Sequence, residues 1–477
     1  MEKLLIFDSA KEVRFGKLLK FIIPTYLTAL FNTVYTIVDG IFVSSYVGTN
    51  ALAAINIVYP IVNILTGIAL AFATGGSALA ALHIGGERKE EANRTFSVSM
   101  LLSLLVGCGV SALIWIKLPA LLELLGATQL TMSDCKTYAF WWLVGTPVVI
   151  GKELLTYFIR VDGSPTYSFL TALAGGLLNI VLDYVFVGCM DMGILGAALA
   201  TILGLLLSFS MGLYYFVKKK HTLEFTFRGL SFKIGFNCMI NGTSEFVNQL
   251  AIAITTIVFN RTAMAFAGED GIAAVSIIMY LQFLFIGIYS GFSMGMAPPL
   301  GYAYGDKKLD VCRALERYAY RFFSIAPIVI YALTFFLAPM CVSFFADKHS
   351  SVYTLAVSGM RIYGLGFLFS GINIFSAVRM MAYGKGYFAG GITFLRSFAL
   401  LLLFLIVLPQ FWGMNGIWLA VPGAEILTMF VAVLALVFIP RGRKSMFEVI
   451  NPNSGEARKQ RNPVNRKVNG VRCFIVI

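Results

Sequence analysis

Long apolar runs recur from near one end of the sequence almost to the other, and no other feature limits the fold so sharply. Leu101–Ile116 and Ser397–Leu408 are two of them. A helix needs about 20 mostly apolar residues to cross the hydrocarbon core of a bilayer. Divided at polar and glycine breaks, the runs predict about twelve such spans. They fall at 17–46, 51–82, 96–118, 137–159, 166–188, 193–217, 236–265, 271–303, 318–345, 353–383, 390–410 and 415–440. Of 477 residues 58% are hydrophobic and 13% charged, more apolar than a soluble core requires. Backbone polar groups must pair within the segment inside lipid, so the spans are helices. The two-residue alternation of a membrane barrel is absent. The expected class is an all-α membrane protein.

The net charge of +13 raises the question of nucleic acid. The positions of the charges answer it. With the N-terminus inside, the inner segments 1–20, 83–95, 152–164, 218–234, 304–321, 379–396 and 441–477 hold 32 of the 37 Lys and Arg. The outer side keeps Lys117, Lys136, Arg261, Lys348 and Arg361. This is the positive-inside pattern of a multi-pass protein of the cell membrane with both termini cytoplasmic, and no nucleic-acid partner is expected. Residues 441–477 read as a basic, disordered cytoplasmic tail.

Several chemistries find no support. Seven scattered cysteines contain no C-x-x-C, so neither a disulfide framework nor a zinc site is indicated. Cys473 is fifth from the end, which rules out a prenylation box. The first apolar run continues through Pro24 and Asp39 as a full span, unlike a cleavable signal. The "GFSMG" at 291–295 matches a nucleophile elbow, but it lies in a helical apolar run and not on a strand–turn–helix. His83, His221 and His349 have no metal-ligand spacing, and no Walker A loop signals ATP. No enzyme and no organic cofactor are expected.

The chain repeats itself. Residues 51–90 align with 271–310 at an offset of 220, with identities that include Ala54/Ala274, Gly67/Gly287, Gly75/Gly295 and Gly85/Gly305. The same offset pairs "TIV" at 36–38 with "TIV" at 256–258, and Gly196, Leu199 and Ala200 with Gly416, Leu419 and Ala420. Two six-helix lobes follow, 1–217 and 236–440, joined by a polar linker at 218–235. An even number of spans per lobe makes the repeat parallel, an architecture suited to alternating access around a central cleft.

The lobes differ where chemistry would sit. After the shared "TIV", the first lobe has Asp39 and the second Phe259. An intramembrane carboxylate is expensive and by default functional. Asn32, Tyr35 and Thr36 share its helical face. A second carboxylate, Asp183, stands one turn from Asn179 in "NIVLDYVFVG", nearer the outer end of its helix, where solvent can reach it. At the repeat offset these oppose Leu403 and Ala399, though compensating gaps would alter that pairing. The next span opens with a small-residue stripe, Gly196, Ala200 and Gly204, that permits close helix approach, with Thr201 beside it. Tyr138 opens the fourth span. Two carboxylates, an amide and hydroxyls suit a small cation such as Na⁺, or a proton on one carboxylate. Glu245 is the clearest acid of the second lobe, with substrate contact and packing at the cytoplasmic end both open. Arg396 and Glu425 read as a helix-to-helix pair.

Taken in order, "YTIVDGIFVSSYVGTNALAA", "NIVLDYVFVG…GILGAALAT", "NGTSEFVNQL" and "GFSMGMAPPLGYAYGDKK" resemble the multidrug and toxic compound extrusion (MATE) family, over residues 17 to about 440. The resemblance implies twelve helices in two lobes and export of amphipathic, mostly cationic compounds driven by entry of Na⁺ or H⁺. It implies ion coupling at Asp39, Asn179, Asp183, Thr201 and Tyr138. Of these, Asp39, Asn179, Asp183 and Thr201 are the candidate Na⁺ ligands. Substrate contact is expected at Asp39, Asp183, Glu245, Tyr35 and Asn32. The expected partners are the bilayer and a small amphipathic molecule, with no ATP, in a monomer. Arg379 departs from the family pattern, and a cation near the inner end of the cleft would disfavour cationic substrates there. The alternative is a flippase for lipids or lipid-linked oligosaccharides in the same superfamily. It is disfavoured because deep acids outnumber deep bases. A channel or an embedded enzyme fits less well still.

Overall fold

The computed structural model describes residues 6–42, 46–47, 49–218 and 221–438. The basic tail at 441–477 lies outside the described residues, and so does the Asp39 side chain. Among the described residues there is no strand. Also among the described residues, nine helices are long and apolar enough to cross a membrane, and a bent pair makes up to ten.

The first lobe runs α1 (Phe15–Phe42), α2 (Thr49–Gly85), α3 (Lys89–Ile116), a short α4 (Leu118–Leu124), α5 (Met132–Val144), α6 (Thr146–Val161), α7 (Pro165–Asp183) and α8 (Gly193–Lys218). The span expected at 137–159 is two helices, α5 and α6, bent by 52° at Gly145. Pro147 explains the bend, because it lacks an N–H and disfavours helical backbone in the residue before it. Tyr138 therefore sits in the middle of α5 and does not open the span. A π-turn at Tyr184–Cys189 extends α7.

The second lobe comprises α9 (Phe232–Asn241), α10 (Thr243–Gly305), α11 (Leu309–Val342), α12 (Ser351–Tyr363), α13 (Phe367–Ala382), α14 (Gly386–Phe394), α15 (Leu400–Trp412) and α16 (Met414–Phe438). At 63 residues α10 would be roughly 95 Å long, about three times the hydrocarbon thickness. It is broken at Ala267 and Gly268, where Gly268 adopts φ +59°, backbone that glycine alone enters freely. It therefore serves as two spans, as the separate runs 236–265 and 271–303 predict. The linker expected at 218–235 is shorter than that, since α8 includes Lys218 and α9 begins at Phe232.

The internal repeat is visible in the backbone. α2 ends at Gly85 and α10 at Gly305. The turns that follow carry left-handed Glu87 (φ 58°) and Lys307 (φ 61°) at the same offset of 220, and so do Gly193 (φ 58°) and Gly413 (φ 55°). The contacts repeat as well. A Cβ on Gly85 would strike the Tyr302 backbone, and one on Gly305 would strike Leu82, which is the same contact with the lobes exchanged. Gly75 faces Gly242 while Gly295 faces Ile22, again the exchanged pair. Glycine at 85 and 305 lets α2 and the second half of α10 cross backbone to backbone, while Gly75 brings α2 against the α9–α10 junction and Gly295 brings α10 against α1. Tyr302 adds a hydrogen bond from its hydroxyl to Val161 O at 2.5 Å. All these contacts lie in the half of each helix nearer the 86–88 and 306–308 turns, so the lobes are closed at that end.

Candidate functional site

The polar centre of the first lobe is built on α7. Asn179 and Asp183 are one turn apart and project from one face, at 3% and 0% exposure. The expectation that solvent reaches Asp183 at the outer end of its helix is corrected by that burial. The π-turn continues the helix past it and keeps it inside the lobe. Neither atom of the Asn179 amide has a hydrogen-bond partner among the described residues. An unsatisfied buried amide costs roughly 1–3 kcal/mol, so a chain that keeps one has some other use for it.

Small residues make this centre compact. Gly204 on α8 meets Gly175 O and Asn179 at distances that leave no room for a side chain, and Gly196 abuts Phe186. Gly196, Ala200 and Gly204 thus form the close-approach stripe that their spacing predicts. On the other side of α7, Gly176 accepts the ring of Phe31 from α1. α1 packs against α7 and carries Asn32 and Tyr35, both half-buried. Thr201 is half-buried on α8 and donates to Ala197 O at 3.0 Å. Tyr138 is buried beside Trp142, in an apolar cluster of α2, α5 and α8 residues. The first-lobe candidates therefore come from four adjacent helices. Asn179 and Asp183 form the buried pair.

Glu245 belongs elsewhere. It lies in the first turn of α10, beyond all of α9, roughly 20 Å along the helical path from Phe232. It is half-buried, within electrostatic reach of Tyr157 on α6 and Arg396 of the second lobe, and so borders the space between the lobes.

Several buried charges escape sequence reasoning. Lys152 Nζ and Glu153 Oε1 are 2.7 Å apart on α6, with the side chains 7% and 18% exposed. Arg160, on the same helix, stacks on Tyr157 and bonds Ser168 at 3.2 Å. Counting 152–164 as an inner segment hid both bases; three charges inside the run "GKELLTYFIR" were the available signal. Arg379 and Arg396 also lie within helices and not in a loop. Removing all four from the inner count leaves the inner excess of basic residues intact. It does change the tally of deep bases.

The expectation that Arg379 would repel cationic substrates is corrected. Its Nε contacts Glu316 Oε1 at 2.5 Å, and both side chains are under 5% exposed. The pair is internally neutral. Arg396 and Glu425 pair at 2.7 Å, as read from the sequence.

At the end where the lobes meet, the α6–α7 turn holds the linker. Asp162 is 3% exposed. Its Oδ1 accepts from Leu223 N at 2.8 Å, and its Oδ2 lies 2.9 Å from His221 Nδ1 and 2.8 Å from the Tyr215 hydroxyl. Glu224 N donates to Asn93 Oδ1 at 2.9 Å and Thr226 N to Ser97 Oγ at 2.8 Å. The stretch from His221 to Thr226 is thereby fastened to the first lobe. Among the described residues no group of three His, Cys, Asp or Glu side chains could hold a metal.

Comparison with known proteins places this geometry. Multidrug export protein MepA of Staphylococcus saprophyticus is 24% identical over 468 residues, covering 93% of this chain and 97% of its own. MepA of Staphylococcus aureus strain N315 is 24% identical over 460 residues, with the same coverage. A multidrug resistance MATE family transporter of the MOP superfamily, solved in an outward-facing conformation, superposes with TM-score 0.82 at 22% identity, covering 89% of this chain and 95% of that one. A MOP superfamily transporter from Pyrococcus furiosus, described as having a binding pocket of reverse polarity, also gives 0.82 at 22% identity, with 90% and 97% covered. At that identity the superpositions establish the fold. The MatE family description matches twice, over residues 24–185 and 246–407, once in each lobe. This chain is a multi-pass membrane protein with the two-lobe, all-helical fold, and it belongs to the MatE family.

Proposed function

We propose that this protein is a secondary active exporter of amphipathic, chiefly cationic, organic compounds, and that it exchanges them for Na⁺ or H⁺. The MepA relatives are named multidrug export proteins, and that activity is carried over here as part of the proposal. The observation that carries the ion half is the buried Asn179–Asp183 pair on α7, with an amide that has no partner among the described residues. An anionic carboxylate beside an amide oxygen is a hard-oxygen site for a small cation, and the same carboxyl accepts a proton. Asp39, Thr201 and Tyr138 complete the ion site, and no organic cofactor or ATP takes part. Asp39 and Asp183, with Tyr35, Asn32 and Glu245, line the path of the substrate.

The lobes 1–218 and 232–440 rock against each other, with the shorter segment between α8 and α9 as the linker and both termini and the 441–477 tail in the cytoplasm of a monomer. The turns at 86–88 and 306–308 then face the cytoplasm, and the lobes are closed inward. The buried bases argue against a flippase for anionic lipids. Lys152, Arg379 and Arg396 are each ion-paired, and Arg160 is engaged by Ser168 and Tyr157, so their charge is already committed.

The test is flux of a lipophilic cationic dye in proteoliposomes under an imposed Na⁺ or H⁺ gradient. Gradient-driven accumulation that Asp183→Asn abolishes supports the proposal. Flux indifferent to both gradients sinks it.

A further inference from the structure

The two lobes fill their polar centres in different ways. In the second lobe Glu425 on α16 is 4% exposed. Its Oε1 accepts from Arg396 Nε at 2.7 Å and from Ser370 Oγ at 2.8 Å. Its Oε2 accepts from Asn373 Nδ2 at 2.7 Å, and the same nitrogen lies 2.8 Å from Glu425 O. Asn373 is fully buried, and its Oδ1 has no partner among the described residues. Without the guanidinium, this centre is a carboxylate, a hydroxyl and an uncommitted amide oxygen. That is the same chemistry as the first-lobe centre, which has its own carboxylate and its own unpartnered amide.

We infer that Arg396 is a tethered cation occupying a Na⁺-type site in the second lobe, and that its presence confines exchangeable Na⁺ to the first lobe. The repeat supports this. The left-handed glycines after α6 and α13, Gly163 and Gly384, stand one residue off the offset of 220, which Gly193 and Gly413 restore. Within that one-residue slip, Arg396 falls opposite the Gly175–Gly176 pair. Those two positions cannot hold a side chain, because Ser208 and Gly204 O crowd the first and Phe31 the second. The first lobe is thus built without a base where the second lobe has one. Arg396 is fixed to the backbone and so cannot exchange. A guanidinium at charge-assisted distance makes its carboxylate a poor ligand for a free ion.

The inference deepens the proposed ion coupling, but its main test needs no transport. Full-length protein carrying Asp183→Asn, which removes the first-lobe carboxylate, is unfolded thermally in NaCl and in N-methylglucamine chloride of equal strength. Adding Arg396→Gln should create a rise in Tm specific to Na⁺, about 3 °C with Na⁺ at roughly 100 times its Kd. Adding Glu425→Gln as well should remove it. Arg396→Lys, which keeps a tethered charge, should show none. Absence of a Na⁺-specific rise in the Arg396→Gln protein, or its persistence with Glu425→Gln, overturns the inference. If that protein does not fold, the neutral pair Arg396→Gln/Glu425→Gln in the otherwise native chain decides. Its flux should keep the native dependence on the ion gradient, and loss of that dependence overturns the inference. A native chain whose flux ignores ion gradients defeats the proposed function instead and leaves the thermal test standing.

Discussion

Arg379 on α13 and Glu316 on α11 form a buried ion pair at 2.5 Å, and Tyr383 donates its hydroxyl to the same Glu316 oxygen at 2.6 Å. A buried pair is weak support for stability as a whole, but removing one partner strands the other charge. Arg379→Met should therefore lower stability by about 3–5 kcal/mol, and Arg379→Met/Glu316→Gln should recover most of the loss. Thermal unfolding of the purified proteins checks this. The double variant should also keep the native preference among cationic and neutral dyes, because the pair presents no net charge to the cleft. A gain in affinity for cations in the double variant would restore the view that Arg379 repels them.

That reversal shows where the sequence is mute. Arg379 is legible as a charge in an apolar run, but its partner lies 63 residues away on another helix. Helix pairing has no local signature. Lys152 and Arg160 were misplaced for a related reason: a rule that assigns basic residues to loops cannot find a base that is paired inside a span. The features that were legible are periodic or covalent. The spans follow from hydrophobic length, the α10 break from the gap between the runs 236–265 and 271–303, and the repeat from its offset. The Asn179–Asp183 face follows from the four-residue spacing. The α5–α6 bend had a signal in Pro147 that the apolar run overrode. Burial of Asp183 was not legible, because a π-turn in place of a helix end is a tertiary outcome.

The exchanged contacts of Gly85 with Tyr302 and Gly305 with Leu82 hold one end of the lobes together without side chains. Gly85→Val should disfavour that closed arrangement, since its Cβ overlaps backbone, which cannot swing aside as a side chain can. Spin labels placed on the 86–88 and 306–308 turns should report a longer separation in the variant than in the native chain. Gly109→Val is the control, because a Cβ there meets nothing. Unchanged separation with Gly85→Val would mean that these glycines pack the lobes without setting their equilibrium.

Asp162 sits in the turn after α6, and burial pushes its carboxyl above the ordinary value, against hydrogen bonds from Leu223 N–H, Tyr215 and His221 that pull it down. The folded chain thus holds this proton to higher pH than the unfolded chain does. The stability it contributes is fully present below the unfolded value of about 3.9 and is lost as pH rises through the folded one. Asp162→Asn keeps an acceptor for Leu223 N–H and removes the titration. The stability of the native protein relative to the variant should therefore fall as pH is raised from about 4 towards 7. Unfolding midpoints at a series of pH values measure it. A difference that widens with pH would show that the paired anion is favoured over the neutral acid.

The Asn179 amide, without a partner among the described residues, separates a structural role from a binding one, because the two predict opposite signs. Left without partners, a buried amide destabilises the fold by roughly 1–3 kcal/mol. Asn179→Leu keeps the approximate shape and removes the polar atoms. In ion-free buffer the variant should be more stable than the native protein, by about 1 kcal/mol after imperfect packing against Gly204 is allowed for. Ligand linkage then reverses the order. An ion that binds only the native fold adds stability that grows with its activity, and a chain without the site gains none. As Na⁺ is raised, or pH lowered if the ion is a proton, the native midpoint should climb past that of the variant, while the midpoint of Asn179→Leu stays level. Dye flux by the variant should lose its dependence on the same ion. If Asn179→Leu is less stable than the native chain already in the absence of ions, the amide has a structural partner and α7 does not hold the ion through it.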